Sequence, residues 1–280
     1  MHGAKNLSGL GASMSMCSDG KIWAISTDEH TTHINNTVMV YERRGDTYYP
    51  LGQVLKADYE TEGSHAFGAG GGGVTLSGDG KVLIVSALAY NTMYTTDGTR
   101  VYGFVNTYRY INEQWTLFGE TPGYTTNSGG TTLRVSIVPP NDHTIGKYWG
   151  TYTATNNTGD LVAISQFNAA NNGGIYRYDS NNDTWIFEYT FPYNAFGVGM
   201  TLDGNRVVSC REGVGTAGQG VNIYDYIDGS WVFIRNLNFQ HESDDRLGRQ
   251  VAISGDGNTI STSSSNESSN GNSYIQVYRY

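Results

Sequence analysis

Few residues in this 280-residue chain are of a type and spacing that could do chemistry. Three carboxylates come first: Asp28, Glu29 and Glu212. A glycoside hydrolase needs an acid and a base or nucleophile about 5–10 Å apart across one pocket. No other blade offers an acid in a matching place; the equivalent positions hold Ala87-Leu88, Gln166-Phe167 and Ser263-Ser264. The pattern reads as solvated loop acids. His30 and His33 stand three apart with His65 distant, and no further ligand has metal-site spacing, so no metal is expected. The run Gly70–Gly73 lacks the Lys-Ser/Thr ending of a phosphate loop and reads as a bulge. No Gly-x-Ser-x-Gly elbow precedes a helix. Cys17 and Cys210 read as two buried free thiols. No catalytic residue and no cofactor is expected.

What remains is binding. Tyr41, Tyr108, Tyr110, Tyr176, Tyr178, Tyr224, Tyr226, Tyr278 and Tyr280 recur at one place in a repeat and are structural. Tyr90, Tyr94 and Tyr124 break that period and join Arg134, Asp142, His143, Arg211 and Glu212 as the candidate contact set.

The elements that must position them are repeated. A large residue followed by glycine recurs at Leu10-Gly11, Phe67-Gly68, Trp149-Gly150, Phe196-Gly197 and Leu247-Gly248, with spacings of 57, 82, 47 and 51 residues. Each pair opens an apolar run, a turn and a second run. The turn is Asp19-Gly20, Asp79-Gly80, Asp203-Gly204 or Asp256-Gly257, and Gly159-Asp160 in the third unit. Asp-Gly between apolar runs predicts a hairpin, with left-handed backbone allowed at both positions. A third strand ends in tyrosine, as in Val221–Tyr224, and a fourth opens with Tyr48, Trp115, Trp185 or Trp231. Four antiparallel strands per unit predict a propeller blade, hence an all-β, five-bladed β-propeller as one domain over 1–280. Residues 2–8 are expected to supply the fourth strand of the last blade and close the ring. A sixth blade hidden in the longest spacing is the alternative. That spacing holds an insertion at 121–148, read as a β-hairpin or loop with a strand at Thr131–Val138, ended by Pro139-Pro140, and a second strand near Thr144.

Lys plus Arg number 17 against 26 acids, a net charge of −9, which argues against a nucleic-acid surface. The longest apolar runs are strand-length, so no membrane insertion is expected. The start, MHGAKNLSGL, has no apolar core of a secretory signal.

The unit [FL]-G-x-x-[VM]-x-[LI]-S-x-D-G-x-x-[LIV]-x-[VI]-S, followed by -[VI]-Y- and W, resembles the FG-GAP-type repeats of integrin-alpha-like β-propellers. It is also similar to the SxDG repeats of viral and microbial surface proteins. The resemblance covers nearly the whole chain outside 121–148. The family's Asp-rich calcium loop, D-x-D-x-D-G, is missing, so calcium is not implied. The resemblance implies a non-enzymatic structural or attachment module on a virion or extracellular surface. Its expected partners are other structural proteins, a surface receptor or a glycan, met through the variable loops opposite the Asp-Gly turns and through 121–148. A lectin and a five-bladed glycoside hydrolase are the alternatives.

Overall fold

The computed structural model describes residues 8–29, 36–56, 65–68, 73–89, 93–95, 100–101, 103–122, 124–125, 134–138, 149–166, 173–192, 195–211, 220–237, 246–265 and 275–279. The described strands are β1 (Ser8–Met16), β2 (Ile22–Glu29), β3 (Thr37–Arg44), β4 (Thr47–Pro50), β5 (Leu55–Lys56), β6 (His65–Phe67), β7 (Val74–Leu76) and β8 (Val82–Ala89). Then come β9 (Met93–Thr95), β10 (Arg100–Val101), β11 (Phe104–Ile111), β12 (Gln114–Leu117), β13 (Tyr124–Thr125), β14 (Trp149–Thr155), β15 (Leu161–Gln166) and β16 (Gly174–Asp179). The last are β17 (Thr184–Thr190), β18 (Gly197–Met200), β19 (Arg206–Arg211), β20 (Gly220–Ile227), β21 (Ser230–Leu237), β22 (Arg246–Ile253), β23 (Thr259–Ser265) and β24 (Ile275–Arg279).

The five repeats fold as the five blades of a β-propeller. Blade 1 is β1-β2-β3-β4, with β5 also on β3; blade 2 is β12-β11-β8-β6, with β7 also on β8. Blade 3 is β14-β15-β16-β17, blade 4 is β18-β19-β20-β21, and blade 5 shows β22-β23-β24 among the described residues. The closing strand expected at 2–8 falls outside the described residues, apart from Ser8. Ser8 belongs to β1, opposite Glu29, and so to blade 1 rather than the last blade.

Strands that bury both faces alternate their partners at period two. On β15, Val162 and Ile164 enter the core shared with blade 2, while Leu161 and Ala163 enter the core shared with blade 4. The tryptophans of the fourth strands clasp neighbouring blades. The indole N–H of Trp115 donates to the Leu51 carbonyl (2.8 Å), Trp185 to the Thr107 hydroxyl (3.1 Å) and Trp231 to the Glu188 carboxylate (3.0 Å). Gly119, at φ 65°, leaves the space in which Trp185 lies; a Cβ there would meet the indole at 2.5 Å.

The Asp-Gly turns depart from expectation. Only the glycine is left-handed, at φ 74° for Gly20, 72° for Gly80, 74° for Gly204 and 76° for Gly257. The aspartate is required for its carboxylate. Asp79 Oδ1 accepts from the Ser77 hydroxyl (2.7 Å) and the Lys81 N–H (3.0 Å); Asp203 does the same with Thr201 and Asn205, and Asp256 with Ser254 and Asn258. In blade 1 a thiol replaces the hydroxyl, with Cys17 Sγ donating to Asp19 (3.0 Å) and accepting from the Ile22 N–H (3.1 Å). Such side-chain bonds to local backbone favour the turn. The turns also join one another across blades: Ser18 N–H to Gly78 O (2.9 Å), Asp79 N–H to Asn157 O (2.9 Å), Asn157 N–H to Leu202 O (2.8 Å) and Leu202 N–H to Gly255 O (3.0 Å). The face carrying these turns is therefore uniform and tied together.

Candidate functional site

The opposite face is irregular at blade 2. Between β8 and β11 the chain forms β9 and β10, and β13 joins them, giving a separate three-stranded sheet in the order β10-β9-β13. Tyr94 lies opposite Thr125 and Arg100, and Tyr124 lies opposite Thr95. The register thus sets Tyr94 and Tyr124, far apart in sequence, one position apart on adjacent strands.

The inserted chain then returns to blade 2. Val105 pairs with Ile137 and Thr121 with Val135 as isolated bridges, in place of the regular strand expected over Thr131–Val138. Residues 131–133 lie outside the described residues, as does the strand expected near Thr144. Side chains lock this return: Ser136 N–H donates to Asn106 Oδ1 (3.2 Å) and Thr107 N–H to Ser136 Oγ (3.0 Å). Val135 enters the core between blades 1 and 2, and Ile137 the core between blades 2 and 3. These two apolar residues are therefore buried on the ring's own flank.

An open groove of about 430 Å³ lies between the outer strands of blades 1 and 2, lined in part by Gln53, Lys56, Gln114, Trp115 and Arg134. Gln53 holds its wall: its amide nitrogen donates to Trp115 O (2.8 Å) and its oxygen accepts from Trp115 N–H (2.9 Å). This side-chain amide occupies the backbone groups of an edge strand that would otherwise be open to another chain. Arg134 is exposed and forms a two-pronged ion pair with Glu120, with Nε to Oε2 at 3.0 Å. Lys56 adds a second cation to the same groove.

The structure brings only some of the candidate residues together. Tyr94 and Tyr124 stand on adjacent strands of the extra sheet, one position out of register and so on opposite faces of it, and Arg134 lines the groove between blades 1 and 2. Arg211 ends β19 opposite Gly220, on blade 4 and away from them. Tyr90, Asp142, His143 and Glu212 lie outside the described residues, as do His30 and His33. Asp28 and Glu29 close β2, opposite Gly9 and Ser8. Among the described residues no cluster of three His, Cys, Asp or Glu side chains could hold a metal. Both cysteines are buried thiols outside any disulfide. No helix of the described residues is long and apolar enough to cross a membrane.

Gln53, Lys56 and Glu120 went unforeseen, as did the burial of Gln166. Gln53 and Lys56 sit in an unremarkable polar stretch, and Glu120 directly precedes the insertion; Gln53 acquires its role by bonding across blades and Glu120 by pairing with Arg134, neither of which local pattern announces. At the top end of β15, Gln166 is fully buried, and neither its amide nitrogen nor its oxygen has a hydrogen-bond partner.

No known protein family matches the chain, and no curated protein matches it. Among solved structures it is similar to TolB from Acinetobacter baumannii, at 13% identity and a TM-score of 0.45 over 95% of this chain and 56% of that one. It is also similar to a functionally unknown protein from Desulfotomaculum acetoxidans DSM 771, at 13% identity and a TM-score of 0.52 over 95% of this chain and 69% of that one. The chain thus spans little more than half the length of TolB. At such identity the second likeness speaks to the fold alone, and that fold is compatible with a protein–protein interaction module.

Proposed function

We propose that this chain is a non-enzymatic attachment or structural module of the FG-GAP or SxDG-repeat type. In this reading it sits on a virion or cell surface and contacts another structural protein, a receptor or a glycan. The observation that carries the reading is the asymmetry between the two faces. One face is built from five equivalent turns bonded to one another. The other departs from the repeat at blade 2, where two separate stretches of chain build a sheet that no blade needs. Elaboration of a rigid scaffold at one place is how binding surfaces are usually made. The groove with Lys56 and Arg134 between blades 1 and 2 suits a polar, acidic partner.

The test keeps residues 134–138, which the core needs, and alters what lies around them. Replacing 126–133 with a Gly-Ser linker and reversing charge with Arg134→Glu should leave the fold intact. The combined variant is expected to lose capture of the natural partner from the source particle or cell. Unchanged capture would reject the blade 2 surface. A glycan array and a panel of aryl glycosides separate the rival classes: hydrolysis abolished by Asp28→Asn or Glu212→Gln would overturn the non-enzymatic reading.

A further inference from the structure

The outer edge of blade 2 is closed at two points and open between them. Phe118 N–H donates to Thr107 O (3.1 Å), so along β12 the backbone groups of Trp115 and Leu117 point away from β11. Those of Trp115 are taken by the side-chain amide of Gln53. Two residues past Leu117, the Gly119 N–H donates to Asp183 Oδ1 of blade 3 (3.0 Å). Between these two caps, the N–H and C=O of Leu117 have no partner among the described residues. Leu117 lines the groove of blades 1 and 2 together with Lys56 and with Val54, which is 51% exposed. β5 and β12 each run antiparallel to the third strand of their own blade. Lys56, three residues past Gln53, and Leu117, two past Trp115, therefore stand toward the same end of the groove. Arg134 is engaged there by Glu120, whereas Lys56 makes no ion pair among the described residues.

We propose that this groove takes an extended acidic peptide, one residue of which pairs with Leu117 through both backbone groups while a nearby carboxylate meets Lys56. This names the chemistry of the partner for the contact surface proposed above and rests on that reading. Gln53 shows the fit. Its amide offers one N–H and one oxygen to Trp115, as a paired residue of an added strand does. A peptide in the groove repeats that pattern one step along β12, the mode by which an extended chain joins a sheet edge. Directly opposed residues of paired strands share a face. Leu117 turns its side chain into the core between blades 1 and 2, so the peptide residue opposite it faces the blade 1 wall at Val54 and is best apolar. The carboxylate follows within two positions, because Lys56 stands at that end of the groove. Gln53 and Asp183 cap the edge on either side. The site therefore selects by one backbone pair, one apolar side chain and one charge, and does not offer an open strand edge to any chain.

A displayed library of random nonapeptides, selected on the immobilised chain, tests this without the natural partner. Enriched sequences are expected to carry an apolar residue with Asp or Glu within two positions of it. The leading peptide, labelled and followed by fluorescence polarisation, should bind Lys56→Glu about fivefold or more weakly than wild type. Replacing its acid by the matching amide should weaken it in the same direction. N-methylation of its apolar residue removes the N–H offered to Leu117 O and should weaken binding about tenfold. Lys56 is exposed, so Lys56→Glu should melt as wild type and its effect is one of contact. The proposal is overturned if no peptide is enriched, if the enriched peptides lack acids, or if wild type and Lys56→Glu bind alike. An acidic glycan that binds wild type and is lost with Lys56→Glu overturns it too, since the groove then serves a sugar. Failure of the attachment reading shows in a different measurement: unchanged capture of the natural partner by the 126–133 and Arg134 variant.

Discussion

At the scale of single residues, the repeat is held by a small hydrogen-bonding device at each turn, and Cys17 shows its chemistry. Its sulfur stands where Ser77, Thr201 and Ser254 place a hydroxyl, bonded both to the turn aspartate and to the backbone N–H five residues on. Cys17→Ser should therefore keep the turn and be nearly neutral in urea denaturation. Cys17→Ala leaves the half-buried Ile22 N–H without this acceptor and should cost about 0.5–1.5 kcal/mol. Equal midpoints for the two variants would show that the sulfur does not support the turn. Gln166 gives the opposite case. Both ends of its buried amide lack partners, a desolvation cost with no compensating bond. Gln166→Met should raise stability by about 1–3 kcal/mol in the same assay. A loss would mean that the amide has a partner in solution.

At the scale of elements, the tryptophans that open the fourth strands are interblade clasps. Trp185 reaches from β17 to Thr107 on β11 while its ring lies over Gly119. Trp185→Ala should cost about 3–5 kcal/mol, as a large buried ring usually does. Trp185→Phe should cost less, since it keeps apolar contact and loses the bond to Thr107; unfolding midpoints for the pair check the order. The periodicity of these residues was legible in the sequence because every blade solves the same packing problem with the same residue types. So were the hairpins, although the aspartate's part in them was misread: its carboxylate matters, not its backbone. The site was much less legible. Where Val135 and Ile137 bury was not legible, because Ile137 bridges to Val105 on β11, some thirty positions earlier, and Val135 to Thr121, and neither pairing follows a local pattern. The meeting of β9 with β13 and the bracing of Trp115 by Gln53 are likewise long-range pairings that no local spacing announces.

At the scale of the whole molecule, the turns and the buried tyrosines set a pH window for the fold. Hydrogen bonding from Lys21 and Cys17 holds the Asp19 carboxyl well below its ordinary 3.8, and bonds from Ser254 and Asn258 lower Asp256. For Asp203, burial acts upward, but bonds from Thr201 and Asn205 outweigh it and the net direction is down. A depressed folded pKa means that the unfolded chain binds protons first as pH falls. The stabilisation is full above about pH 4 and is lost as pH drops through the folded values. On the alkaline side, burial raises Tyr176 above its ordinary 10.0, and Tyr189 and Tyr278 in the same direction. There the unfolded chain loses its phenolic protons first, so stability declines as pH climbs past about 10. Because the turns are bonded from blade to blade, from Ser18 through to Gly255, loss of one turn weakens its neighbours. Acid should therefore unfold the described blades together rather than one by one. Tryptophan fluorescence, which reports blades 1 to 4, and far-UV circular dichroism, which reports every strand, should trace one coincident transition below pH 4. Asp256→Asn, which removes one of the titrating carboxyls, should make that transition less steep. Two separated transitions would show instead that the blades are independent and that the turn-to-turn bonds do not couple them.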